Sequence, residues 1–212
     1  DAYREGIYVE NTDGTVVSGN DISRENKVTV TQYWGIEFIN DSENALVEKN
    51  RIHDSMTSAS FTGLTEAGIR FAACIASVGN ENYVQNNAIY NLGSTTTSTG
   101  ILSSGSHGVY YLHNTIDLTN VGDPLSIDAI GFEQIGTENN TRFENNIIHI
   151  DRGPQNPSDE LVGIRLVASS GISSDHNVVF FGPLAGGTQI TGKYGTTDFA
   201  TMANWQTANR NA

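Results

Sequence analysis

The 212-residue sequence has a single cysteine, Cys74, which excludes an internal disulfide framework. Cysteine usage does not fix the redox compartment, because many bacterial surface proteins carry no disulfide. Cations are scarce: 11 Lys+Arg stand against 24 Asp+Glu, for a net charge of −13. Phosphate backbones and anionic lipid surfaces need a basic face, so neither nucleic acid nor an acidic membrane is an expected partner. No apolar run approaches the roughly 18 residues of a membrane span, and no signal peptide opens the chain. Ser/His/Asp sets and Cys/His pairs at recognisable catalytic spacing are missing too. Helical periodicity is nearly absent before residue 197.

What is present is a repeat. One phrase reads apolar, two polar residues, Asn, one variable residue, then Ile or Val. It occurs as Val47-Glu48-Lys49-Asn50-Arg51-Ile52, Val84-Gln85-Asn86-Asn87-Ala88-Ile89 and Phe143-Glu144-Asn145-Asn146-Ile147-Ile148, with looser copies around Asn20, Asn114 and Asn177. A second phrase, Gly followed by an apolar residue, occurs at Gly6-Ile7, Gly35-Ile36, Gly68-Ile69, Gly100-Ile101, Gly131-Phe132 and Gly163-Ile164. Successive glycines lie 29 to 33 residues apart, successive asparagines 27 to 37, and each Gly precedes its Asn by 14 to 19. Two phrases in fixed order, six times over, mark an internal repeat.

Inside each phrase the period is two, which predicts short strands with one buried face. Ile36/Phe38 and Ile69/Phe71 would point inward, with Glu37 and Arg70 between them pointing out. Ser103, Gln134 and Ser174 break the apolar columns and predict looser spots in the core. Turn residues such as Asn11-Thr12-Asp13-Gly14 and Asn40-Asp41-Ser42 join the Gly phrase to the Asn phrase, and longer connections lead to the next Gly. A unit of about 30 residues with two or three short strands cannot bury its own apolar face, so the units must stack. Stacked in register, Asn20, Asn50, Asn87, Asn114, Asn146 and Asn177 would form one inward column of amides, spaced at about 4.8 Å. The expected fold is therefore all-β: a single-stranded parallel β-helix, or solenoid, of about six rungs over residues 1–192. Residues 193–212 would form a C-terminal capping segment. Its short helix would set Phe199, Met202 and Ala203 against the open end, with an N-cap candidate near Thr197 and Asp198.

These phrases resemble the right-handed parallel β-helix family of pectate lyases, polygalacturonases and many large secreted bacterial surface proteins. The resemblance covers roughly residues 5 to 182 and implies fold far more than function, because this architecture hosts many unrelated activities. In that family an asparagine ladder sits at the bend between the second and third sheets. Asn11-Thr12-Asp13-Gly14 matches a polygalacturonase string, but inverting hydrolysis needs further carboxylates. The next rung, Tyr33-Trp34-Gly35-Ile36-Glu37-Phe38, supplies no adjacent aspartates. Gly105-Ser106-His107-Gly108 and Gly163-Ile164-Arg165-Leu166 also depart from that family's other motifs.

Candidate contacts remain. Tyr33 and Trp34, where a loop enters a strand, would stack on a sugar if exposed. Arg70 and Arg165 project outward, each following a glutamate one rung earlier, so Glu37–Arg70 and Glu133–Arg165 read first as cross-strand ion pairs. Among the histidines, His53, His107, His113, His149 and His176, the last precedes a repeat asparagine, as does His113. Those two stand two rungs, or about 10 Å, apart and cannot share a metal. The loop acids Asp117, Asp123 and Asp128 could hold Ca²⁺, but no calcium-binding string supports it, and no other cofactor is implied. The first repeat begins within a few residues of Asp1, which reads as a segment of a longer parent chain. The favoured expectation is a non-catalytic module of a secreted or cell-surface bacterial protein, used for display, adhesion or weak glycan binding. Its partners would be glycans or other surface polymers and further domains of the parent. A polysaccharide lyase or glycoside hydrolase is the alternative, and a structural spacer the third reading.

Overall fold

The computed structural model describes residues 4–25, 32–55, 65–93, 97–119, 128–152, 158–167, 171–183 and 187–209. The first rung is β1 (Glu5–Glu10), β2 (Val16–Ser18) and β3 (Asp21–Arg24); the second is β4 (Gln32–Ile39), β5 (Leu46–Glu48) and β6 (Arg51–Ser55). Then follow β7 (Thr65–Ala72), β8 (Asn82–Gln85) and β9 (Ala88–Leu92), and β10 (Thr97–Ser104), β11 (Val109–Leu112) and β12 (Thr115–Leu118). The fifth rung is β13 (Asp128–Ile135), β14 (Thr141–Glu144) and β15 (Ile147–Ile150), and the sixth β16 (Glu160–Leu166), β17 (Ile172–Asp175) and β18 (Val178–Phe181). β19 (Thr188–Tyr194) adds to the first sheet, β20 (Thr197–Phe199) pairs antiparallel with it, and α1 (Met202–Asn209) ends the described chain.

Strands one rung apart pair in parallel, giving a first sheet of eight strands and second and third sheets of six each. The chain is a parallel β-helix. Its interior is one apolar cluster running from Val17 through Phe38, Phe71, Tyr111, Phe132 and Phe143 to Leu166 and Trp205. Phe38 and Phe71, on neighbouring rungs, stack at 4.8 Å between centroids, so rung stacking puts like on like and the apolar columns become continuous. Phe132 and Phe143 stack at 4.1 Å across the interior of the fifth rung, joining its first and second sheets.

The two repeated phrases meet inside each rung. A Cβ on Gly68 would lie 2.5 Å from Ile89 Cγ2 and 2.9 Å from the carbonyl oxygen of Gly100. Only a hydrogen fits there, so the glycine lets the isoleucine two residues after the repeat asparagine fill the corner.

At the bend between second and third sheets, Asn20, Asn50, Asn87, Asn114 and Asn146 each donate backbone N–H and side-chain Nδ2 to the Oδ1 of the next repeat asparagine, at 2.9–3.1 Å. The Nδ2 groups of Asn50, Asn87, Asn114 and Asn146 also reach back to carbonyls of the preceding rung, as from Asn87 to Val47 at 3.0 Å. Asn50, Asn87, Asn114 and Asn146 are buried. The residue before each, Gly19, Lys49, Asn86, His113, Asn145 and His176, has φ between 53° and 70°. His113 and His176 therefore occupy left-handed turn positions.

A second column occupies the bend between first and second sheets. Thr12 N donates to Ser42 Oγ at 3.4 Å, Ser42 hydrogen-bonds through its backbone to the Cys74 sulfur, Cys74 N donates to Ser106 Oγ at 3.2 Å, and Ser106 N to Glu138 Oε1 at 3.3 Å. The polar breaks in the core prove tightly held rather than loose. Ser103 donates to Glu138 Oε2 at 3.0 Å and accepts from Tyr111 at 2.9 Å, Gln134 Oε1 accepts from Val167 N at 3.0 Å, and Ser174 Oγ accepts from Asn177. All three are buried, and satisfied polar groups carry little penalty there.

The capping segment departs from expectation in detail. Residues 197–199 form a strand, because pairing with β19 satisfies backbone groups that a helix there would leave open. The helix starts at Met202, with Thr201 Oγ accepting from Asn204 N at 3.3 Å as its cap. Trp205 is the buried anchor, Phe199 and Met202 pack beside it, and Ala203 is exposed.

Candidate functional site

Two lateral faces carry chemistry. On the first sheet, the residues two after each repeat glycine form the outward column Tyr8, Glu37, Arg70, Leu102, Glu133 and Arg165, and Lys193 of β19 continues it by pairing in register with Arg165. Arg70 bonds Glu37, whose other oxygen lies 3.6 Å from Arg4. Arg165 bonds Glu133 at 3.2 Å and also Glu160 at 2.9 Å, and Lys193 bonds Glu160 at 2.6 Å and Asp198 at 3.5 Å. Burial raises the Glu37 and Glu133 pKa values, with the arginines offsetting part of that. The Lys193 hydrogen bond lowers that of Glu160.

Tyr33 and Trp34 belong to this face's strands, not to an entering loop. They are 1% and 4% exposed, and guanidinium groups cover them: Arg24 at 5.2 Å from the Tyr33 ring centre and Arg70 at 5.0 Å from that of Trp34. A ring already capped by a cation has no face left for a sugar, so neither serves as the exposed platform. Pairing resumes on both sides of Gly35, which draws Gln32, Tyr33 and Trp34 into β4.

The third sheet's outer face differs. His53 stacks on Tyr90 at 4.8 Å and His149 on Phe180 at 5.1 Å. His53 places Nδ1 2.6 Å from Asp54 and Nε2 2.5 Å from Asp21, and His149 Nδ1 lies 3.0 Å from Asp117. Burial works against charge on His53, but the hydrogen bonds to Asp54 and Asp21 outweigh it and raise its pKa. The same His53 contacts lower the pKa values of Asp21 and Asp54. Asn91 donates to Asp54, and Arg51 pairs with Asp21.

Compared with known proteins, the chain matches no family model and no curated protein. A crystal structure of the periplasmic alginate epimerase AlgG resembles it. Identity is 14%, the TM-score is 0.38, and the match covers 90% of this chain and 47% of that one. The chain thus spans about half the length of that enzyme.

The loop acids do not converge. Asp117 binds His149 on the third sheet, Asp128 accepts from Glu160 N at 2.9 Å on the first, and Asp123 lies outside the described residues. Among the described residues no group of three or more His, Cys, Asp or Glu could hold a metal ion, and no helix is long and apolar enough to cross a membrane. Arg70 and Arg165 sit where alternation placed them. Glu160 and Lys193 were not anticipated, since neither stands next to Arg165 in the repeat's phrase; Lys193 is nevertheless the next member of the outward column.

Proposed function

We propose that this chain is a non-catalytic β-helix module of a secreted or cell-surface protein, displaying its lateral faces and binding glycans weakly through the third sheet. The observation that carries the reading is the mutual neutralisation of the first-sheet column. Arg4, Arg70, Arg165 and Lys193 are each tied to a carboxylate, which leaves none of them poised as a base. The outer third sheet offers instead ring edges at Tyr90 and His149 beside carboxylate and amide acceptors at Asp21, Asp54, Asn91 and Asp117, a mixture suited to hydroxyl groups. Its acidity favours neutral or cationic sugars over polyuronates. Retention on neutral and amino-sugar glycan arrays should fall in Tyr90→Ala, with no depolymerisation of any polysaccharide with or without Ca²⁺. Unchanged retention would remove the third sheet from the reading.

A second reading has one specific observation behind it. Glu133 and Glu160 bind the same arginine while their pKa values move in opposite directions, an arrangement that can divide acid and base roles. Product formation from any polymer, abolished by Glu133→Gln, would install this enzyme reading in place of the first.

A further inference from the structure

Each end of a β-helix presents strand edges with unpaired N–H and C=O groups, and natural proteins blunt such edges with charge, shortness or a cover. In the first rung, β1 carries Glu5 and Glu10, β2 has three residues, and β3 carries Asp21 and Arg24. At the other end, β20 pairs over the first sheet and α1 packs on β17 of the second. The third sheet's last strand, β18, carries no charge and, among the described residues, has no cover. It reads Val178-Val179-Phe180-Phe181 and pairs, among the described residues, with β15 alone. Val178 and Phe180 point outward at 56% and 55% exposure, joining Ile147 at 50%, and the inward Val179 and Phe181 remain partly open.

We propose that the free edge of β18 is a docking site for an extended peptide, added as a seventh strand of the third sheet. Main-chain hydrogen bonds would supply most of the affinity, and side chains on both faces would cover Val178 and Phe180 outside and Val179 and Phe181 inside. The occupant is apolar over about four residues, the length of β18, and flanked by lysine or arginine. Charge complementarity selects those flanks: the chain carries a net charge of −13, β18 itself carries no charge to oppose a cation, and the exposed Asp175 at the end of neighbouring β17 is paired with His176 alone among the basic residues described. A second copy fits less well. It would bring like charge to like, and α1 already stands over two of the three sheet ends, so a whole solenoid end would meet the helix first. A single strand passes beside it.

The test uses the intact chain and a fluorescent peptide with a Val-Ile-Val-Phe core between lysine pairs, read by anisotropy alongside light-scattering mass. The expected result is saturable micromolar binding to a monomer. Affinity should drop at least about tenfold for the peptide N-methylated at alternate residues, for the glutamate-flanked peptide, and for the exposed-site variant Phe180→Lys. The methylated peptide leaves the protein untouched, so a folding defect in the variant cannot mimic the result. Equal binding of the methylated peptide would overturn strand addition. Absence of binding would overturn the site, and a dimer dissociated by Phe180→Lys would assign the edge to a second copy instead.

Discussion

The two bends of each rung solve one problem with opposite economies of residue type. Both turn the chain through the interior, and both leave backbone N–H groups without a strand partner. At the second-to-third bend one residue type does everything: each asparagine accepts twice through Oδ1 and donates through Nδ2, so the column is a chain of equivalent links. At the first-to-second bend the backbone N–H also points to a side chain one rung on, but the acceptors are Ser, Cys, Ser and Glu. A bend that needs only an acceptor tolerates any small acceptor. A bend that needs an acceptor and a donor on one short planar group demands asparagine.

That contrast predicts a graded response to substitution. Asn87→Leu strands the Asn50 backbone N–H, leaves Asn50 Nδ2 with only the Val17 carbonyl as acceptor, and frees the Val47 carbonyl. At roughly 1–3 kcal/mol for each orphaned group, the loss should be about 4 kcal/mol, measurable as a lowered midpoint in urea. A cost under about 1 kcal/mol would mean that the column is replaceable after all.

Glu138 should make the other column pH-sensitive. Burial pushes its pKa up to about 7, against hydrogen bonds from Ser103 and Ser106 that pull the other way. A carboxylic acid whose folded pKa exceeds its unfolded value of about 4.3 binds its proton more tightly when folded. Its contribution is fully present below the unfolded pKa and lost as pH rises through 7, a span of about 4 kcal/mol at most. Glu138→Gln keeps an acceptor for Ser106 N and should flatten this part of the pH–stability profile, followed by thermal melts from pH 4 to 9. An unchanged slope in the variant would place the pH dependence elsewhere.

Cys74→Ser should cost no more than about 1 kcal/mol, since serine already serves at the neighbouring positions Ser42 and Ser106. A loss as large as that of Asn87→Leu would erase the distinction between the bends. The smallest expected effect is a gain. Lys49 holds φ at 55° immediately before Asn50, where Gly19 sits one rung earlier, so Lys49→Gly should stabilise by up to about 1 kcal/mol in the same urea titration.

How much of this could be read from the chain follows from the same contrast. The asparagine bend repeats one letter in a fixed phrase, so its register stood in the sequence, whereas the strands per rung read as two or three and number three in the structure. The other bend repeats a function rather than a letter: Thr12, Ser42, Cys74, Ser106 and Glu138 span four residue types, and only their near-constant spacing could have betrayed them. Outward alternation located Glu37, Arg70, Glu133 and Arg165 because a strand's period of two is local. Glu160 escaped because a long arginine reaches past its nearest rung neighbour to the start of its own strand. The burial of Tyr33 and Trp34 depends on where β4 begins, and glycine looked like a strand start when it is a corner in mid-strand.

That corner has an evolutionary corollary. Each glycine leaves a notch, and the isoleucine or valine that fills it comes 16 to 21 residues later in the same rung. A crossover between those two points would join a notch to a filler shaped in another rung. A crossover in the long connection before the next glycine would carry both together. Rungs should therefore have been duplicated, lost and shuffled as units that start and stop in those connections, and any grafted rung should be cut at the same places.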